Sequence, residues 1–147
     1  MNVQRMNRRK FLKKAALMAL GVNALATDMI GCVKVAGPEP QRMTLDISKS
    51  PYTALTAVNG GVKITVPGQT HPVMVTRTTQ TTVAAFSSRC THQGCDVGLP
   101  SPEGTITCPC HGSAYLIDGH VVKGPAQRDL TPFPATISGN IITITIR

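Results

Sequence analysis

The 147-residue chain has no tryptophan, and three phenylalanines and two tyrosines are its only aromatics. Without rings on which bases could stack, its formal net charge of +8 does not make a nucleic-acid binder. That charge is local. Arg5, Arg8, Arg9, Lys10, Lys13 and Lys14 supply six of the fifteen basic residues within the first fourteen positions, and from Cys32 onward nine basic residues face six acidic ones. The remainder is an ordinary solvated surface. No apolar run approaches the roughly 20 residues that span a bilayer. The length leaves no room for a separate catalytic or cofactor domain, and neither internal repeats nor low-complexity blocks are present. What abounds is turn and β chemistry: 13 glycines, 11 prolines and 18 threonines, suited to a small all-β domain.

Residues 1–32 read as an export signal. Arg8-Arg9-Lys10-Phe11-Leu12-Lys13-Lys14 leads into a modest apolar stretch, Ala15 to Ala26, and this resembles a twin-arginine signal. That route exports proteins already folded, often around a cofactor. The signal ends in one of two ways. Ala24-Leu25-Ala26 looks like a cleavage site, whereas Met29-Ile30-Gly31-Cys32 resembles a lipoprotein box that would lipidate Cys32. Lipidation is favoured because it leaves an even set of four cysteines. Residues 33–42, with Gly37-Pro38-Glu39-Pro40, read as a linker reaching about 30 Å from a membrane anchor.

Residues 43–147 alternate Thr/Val/Ile-rich runs with turn signals, the spacing of an antiparallel sandwich or small barrel. Expected strands are Met43–Ile47, Tyr52–Val58, Val62–Val66, Val73–Thr78, Thr81–Phe86 and Asn140–Arg147, with a hairpin turn at Asn59-Gly60-Gly61. The last strand places Ile142, Ile144 and Ile146 on one face. Between Ser87 and Pro134 turn residues dominate, and all four remaining cysteines fall there.

They form two clusters, Cys90-Thr91-His92-Gln93-Gly94-Cys95 and Cys108-Pro109-Cys110-His111-Gly112-Ser113. Each offers a cysteine with a histidine two or three residues later, the thiolate and imidazole donors of a soft transition-metal site. Cys95 and Cys110 remain, one per loop. In an exported protein, two spare cysteines held near each other oxidise to a disulfide. A structural zinc site in a non-redox binding module uses the same donors, but the exported destination disfavours free zinc thiolates. Asp96 and Glu103 lack a nucleophile or pocket signature and read as solvated charges. His71 and His120 have no cysteine at ligand spacing and read as surface residues.

The double motif resembles that of the high-potential Rieske iron-sulfur proteins, including those of cytochrome bc and b6f complexes. The likeness continues through Tyr115, Gly119, Val121 and Gly124-Pro125-Ala126. It implies a Rieske-type antiparallel β fold with a small cluster-binding subdomain near residues 85–127. It further implies a [2Fe-2S] cluster with one iron on Cys90 and Cys108 and the other on His92 and His111, and Cys95 bridged to Cys110. Ser113 and Tyr115 would donate hydrogen bonds to sulfur. Two ferric ions, two sulfides and two thiolates sum formally to zero charge, against −2 with four thiolates, so such centres sit at about −150 to +300 mV and this one is expected in the upper half. In quinol-oxidising relatives the histidine matching His111 meets the quinol, with that matching His92 beside it at the exposed tip, and electron and proton uptake are coupled.

Two positions depart from the quinol-oxidising pattern: Gln93 stands where leucine is usual, and Gln127 where a second proline is common. Both touch the docking surface. The expected role is an exported, membrane-associated one-electron carrier serving a cytochrome b-type quinol-oxidising partner and a c-type cytochrome. The alternative is the small Rieske subunit of a molybdenum-containing oxidase of the arsenite-oxidase kind. A Rieske oxygenase would need a second iron site that the chain is too short to build.

Overall fold

The computed structural model describes residues 39–147. The export signal, Cys32 and residues 33–38 of the linker lie outside them. Ten strands follow: β1 (Gln41–Asp46), β2 (Gly61–Ile64), β3 (Val73–Arg77), β4 (Val83–Ser87), β5 (Thr105–Thr107), β6 (Ala114–Leu116), β7 (Val121–Lys123), β8 (Pro132–Phe133), β9 (Ala135–Ser138) and β10 (Ile141–Ile146). Every pairing between them is antiparallel. They form sheets β1-β10-β9, β2-β3-β4-β8 and β5-β6-β7, so the all-β expectation holds. Among the described residues, no helix is long and apolar enough to cross a membrane.

The Ile/Thr alternation of β10 does what a period of two demands: Ile142, Ile144 and Ile146 are buried. Opposite β1, Ile142 pairs with Leu45 and Ile144 with Met43. This face joins Leu55, Ile64, Val73, Val75 and Ala85 in a first apolar core. β3 is buried on both faces. Val73 and Val75 point into that core, while Met74 points into a second one with Phe86, Val97, Ile106, Tyr115 and Leu130. One central sheet thus divides two cores, which is why Val73-Met74-Val75 is apolar without alternation. The second core carries Cys90 and Cys108.

Two expected elements are overturned. Tyr52–Val58 is not a strand, because a short 3-10 helix occupies Thr53–Thr56 with Leu55 as its buried anchor. The side chains that reach the core, Tyr52 and Leu55, are three positions apart, a helical rather than a strand spacing, and the preceding Pro51 has no N–H for a ladder. The Asn59-Gly60-Gly61 hairpin therefore has no first strand. Instead Asn59 N–H donates to the Arg77 carbonyl and Arg77 N–H to the Gly60 carbonyl, extending the β2–β3 pair, whose turn lies across Pro67 and Gly68. β1 takes in Gln41 and Arg42, pairing them with Ile146 and Thr145.

Candidate metal centre

The two motif loops are built alike. Arg89 bridges Asp96 and Thr107 pairs with Ala114, so each loop is a six-residue hairpin tip. In the first, Cys90 N–H donates to the Cys95 carbonyl and Gly94 N–H to the Cys90 carbonyl. In the second, Cys108 N–H donates to the Ser113 carbonyl and Gly112 N–H to the Cys108 carbonyl. The fifth residue of each needs positive φ, +79° at Gly94 and +73° at Gly112, and glycine adopts it without strain. Thus each loop opens on a buried cysteine and carries a histidine toward its tip.

The tips meet. The His92 and His111 rings lie edge to face with centroids 4.8 Å apart. His111 is exposed and His92 half-buried. Cys95 and Cys110 are joined by a disulfide with Cα atoms 6.6 Å apart, and Cys90 and Cys108 are free, buried thiols. The sulfurs of Cys95, Cys108 and Cys110 all lie within 4.8 Å of one another, but two of the three are consumed by the bridge and cannot serve as thiolate donors.

Among the described residues, only two buried side-chain polar atoms lack a hydrogen-bond partner: Nη1 of Arg77 and Nδ1 of His92. An unpaired buried imidazole nitrogen costs about 1–3 kcal/mol. Beside two free thiols it is the donor a metal would satisfy. The residues present fit a two-thiolate, two-imidazole centre.

Hydrogen bonds set the electrostatics. Burial opposes ionisation of Cys90, but bonds from Tyr115, the His92 backbone, Cys108 and Ser113 outweigh it and hold this thiol below its ordinary value. Cys108 is pushed up, by burial and then by Cys90. Tyr115 is pushed up by burial and by its bond to Cys90. One negative charge is accommodated easily and a second is opposed, an arrangement completed by a bound cation. Tyr115 Oη sits 3.2 Å from Cys90 Sγ. Ser113 Oγ accepts Ala126 N–H at 3.0 Å, which leaves its own hydrogen free to donate.

Several residues at the site carry no signal in sequence. Thr91 donates from its hydroxyl to the Arg128 carbonyl at 2.6 Å and from its N–H to Tyr115 Oη at 3.3 Å. It ties the first loop to the segment 124–130 and fixes the tyrosine. His71 is not a plain surface histidine: its Nδ1 lies 2.8 Å from Asp96 Oδ1, which also accepts the buried Ser88 hydroxyl at 2.8 Å. Asp96 is exposed, as expected of a loop charge, and is also an anchor bonded to Ser88 and His71.

His120 is likewise partnered. Its Nδ1 lies 2.7 Å from Asp129 Oδ2, while Asp129 Oδ1 accepts Val121 N–H at 2.8 Å. The bond to Asp129, then the charges of Asp118 and Asp129, raise the His120 pKa. The ionic contribution is fully present below the unfolded value of about 6.5 and is lost as pH rises through the higher folded value. Asp129→Asn should shift the His120 titration, followed by NMR, back toward the ordinary value. An unmoved titration would remove Asp129 as its cause.

Residues 52–134 match the family described as the Rieske [2Fe-2S] domain. A cytochrome b6-f complex iron-sulfur subunit of Synechococcus sp. (strain JA-3-3Ab) is 47% identical over 51 residues, 35% of this chain and 30% of that protein. The iron-sulfur subunit 2 of Synechocystis sp. is 34% identical over 87 residues, 57% of this chain and 48% of that one. The chain thus spans less than half the length of these relatives. Among solved structures, a cyanobacterial plasma-membrane Rieske protein from Synechocystis PCC 6803 superposes with a TM-score of 0.52 at 37% identity, covering 58% of this chain and 85% of that one.

Proposed function

Because the chain belongs to the Rieske [2Fe-2S] family, we propose that it is an exported one-electron carrier, the iron-sulfur subunit of a membrane chain that oxidises quinol and reduces a c-type cytochrome. The observation that carries the reading is the unpaired, buried Nδ1 of His92 beside the free thiols of Cys90 and Cys108. Cys90 and Cys108 would hold one iron, His92 and His111 the other. Bound there, the cluster supplies reversible uptake of a single electron at a potential raised by imidazole ligation.

The chain's own residues do the rest. Tyr115, itself fixed by Thr91, donates toward Cys90 sulfur. Ser113, held by Ala126 N–H, has its hydrogen available for sulfur. Both favour added negative charge and so favour reduction. The exposed His111 ring presents a hydrogen-bonding nitrogen to a partner, which suits a donor that gives up a proton with its electron. The b6-f subunits among the relatives favour the quinol-oxidising partner, and the exposed Gln93 favours the molybdenum-oxidase alternative. Export by the twin-arginine route, with Cys32 lipidated, would put the head on the outer membrane face.

Iron and acid-labile sulfide analysis with electron paramagnetic resonance of the reduced protein tests the centre. Two irons, two sulfides and a mixed nitrogen–sulfur spectrum are expected; a four-cysteine spectrum or stoichiometric zinc would overturn it. If each hydrogen bond is worth about 1–2 kcal/mol more to the reduced state, Tyr115→Phe and Ser113→Ala should each lower the potential by roughly 45–90 mV, at 59 mV per tenfold for one electron. Unchanged potentials would show that neither hydroxyl reaches the sulfur.

A further inference from the structure

The close approach of Cys108 to the disulfide places a free thiol beside an S–S bond. Cys108 Sγ lies within 4.8 Å of both Cys95 and Cys110 sulfurs, the buried thiol facing a bridge that runs from the half-buried Cys95 to the exposed Cys110. We propose that Cys108, when it holds no iron, attacks the Cys95–Cys110 bridge, so that loading of the metal centre is what preserves the native pairing. The proposal rests on the ligand role given to Cys108 above.

The step balances without oxidant or reductant. Cys108, as thiolate, forms a bond to Cys95 Sγ; the Cys95–Cys110 bond breaks, and Cys110 leaves as thiolate, taking up the proton that Cys108 gave. Attack on Cys110 instead would close a three-residue ring around Pro109, whose fixed φ resists it. Product and reactant differ in where the free thiol lies. Cys108 is buried and Cys110 exposed, so exchange moves the thiol from the interior to the surface. An unloaded chain would then advertise itself through a reactive surface sulfur, which a loaded one never presents.

Cys90 marks the specificity of the reaction. It is also a free, buried thiol, but it lies outside that sulfur triad and is bonded to Tyr115. Native-geometry exchange therefore involves Cys108 and spares Cys90, whereas scrambling of an unfolded chain uses any thiol.

The full chain would be compared loaded and after anaerobic removal of iron. Each sample is held in mildly alkaline, oxidant-free buffer, alkylated with iodoacetamide and mapped for disulfide peptides by mass spectrometry. The cluster-free protein should yield a Cys95–Cys108 bridge, with alkylation of Cys110 about tenfold above that of the loaded form. Cluster-free Cys108→Ser should keep the Cys95–Cys110 bridge and an unalkylated Cys110. The proposal fails if the cluster-free wild type keeps Cys95–Cys110 and alkylates at Cys108. It also fails if bridges to Cys90 or Cys32 are as frequent as those to Cys108. Equal exchange in the loaded protein would support the step itself and overturn the assignment of Cys108 as a ligand, which separates the two failures.

Discussion

His92→Leu should abolish iron loading completely, yet leave the cluster-free protein as stable as the wild type or more so. The two halves come from one atom. Nδ1 of His92 is buried without a hydrogen-bond partner, so in the cluster-free chain it carries a desolvation cost of about 1–3 kcal/mol with nothing to offset it. Leucine has similar bulk and no polar atom, so it removes that cost together with the ligand. Iron and sulfide stoichiometry reads the first half, and urea unfolding of the two cluster-free proteins reads the second. The midpoint should stay put or rise, by about 0.3–3 M if the full cost is recovered at an m-value of about 1–3 kcal/mol/M. Iron retained at full stoichiometry would remove His92 from the ligand set. A cluster-free variant several kcal/mol weaker would make it a packing residue. His71 and His120 provide the contrast, since each ring is bonded to a carboxylate and loses a partner when replaced.

The same contrast explains what could be read from sequence. Both loops announce themselves because the chemistry is local. Cysteine first, histidine next to the tip and glycine fifth recur in 90–95 and 108–113, and the backbone bonds that close them run within six residues. β10 was equally legible, its Ile/Thr period fixing one face without reference to the rest of the fold. Partners distant in the chain were not. Thr91 meets Arg128 across 37 positions and His71 meets Asp96 across 25, and no periodicity encodes such a meeting. The strands of the third sheet are three residues long, too short to show an alternation. Tyr52–Val58 misleads for the opposite reason: its composition favours β, while the residues that reach the core, Tyr52 and Leu55, stand at helical spacing.

Removing the disulfide should leave the metal-binding loops far less protected than the base. The bridge joins positions 15 residues apart, and chain entropy for a loop of that size gives about 3 kcal/mol. Where that loss is felt depends on which unit opens. Met74 and Phe86 serve the second core from strands whose other face is held by Val75 and Ala85 in the first. The segment 90–113 can therefore open while β3 and β4 stay paired. The bridge restrains that open ensemble as it restrains the fully unfolded one, because both of its cysteines lie in the segment. In a loaded Cys95→Ala/Cys110→Ala variant, the amides of Cys90, Gly94, Cys108 and Gly112 should exchange about 100-fold faster, since each 1.4 kcal/mol is a factor of ten. The amides of β10, packed in the first core, open only with the whole fold, so they should lose protection by a similar factor and still remain the better protected. Equal protection in both regions would mean that the two cores unfold as one, and the base would then feel every change made at the metal centre.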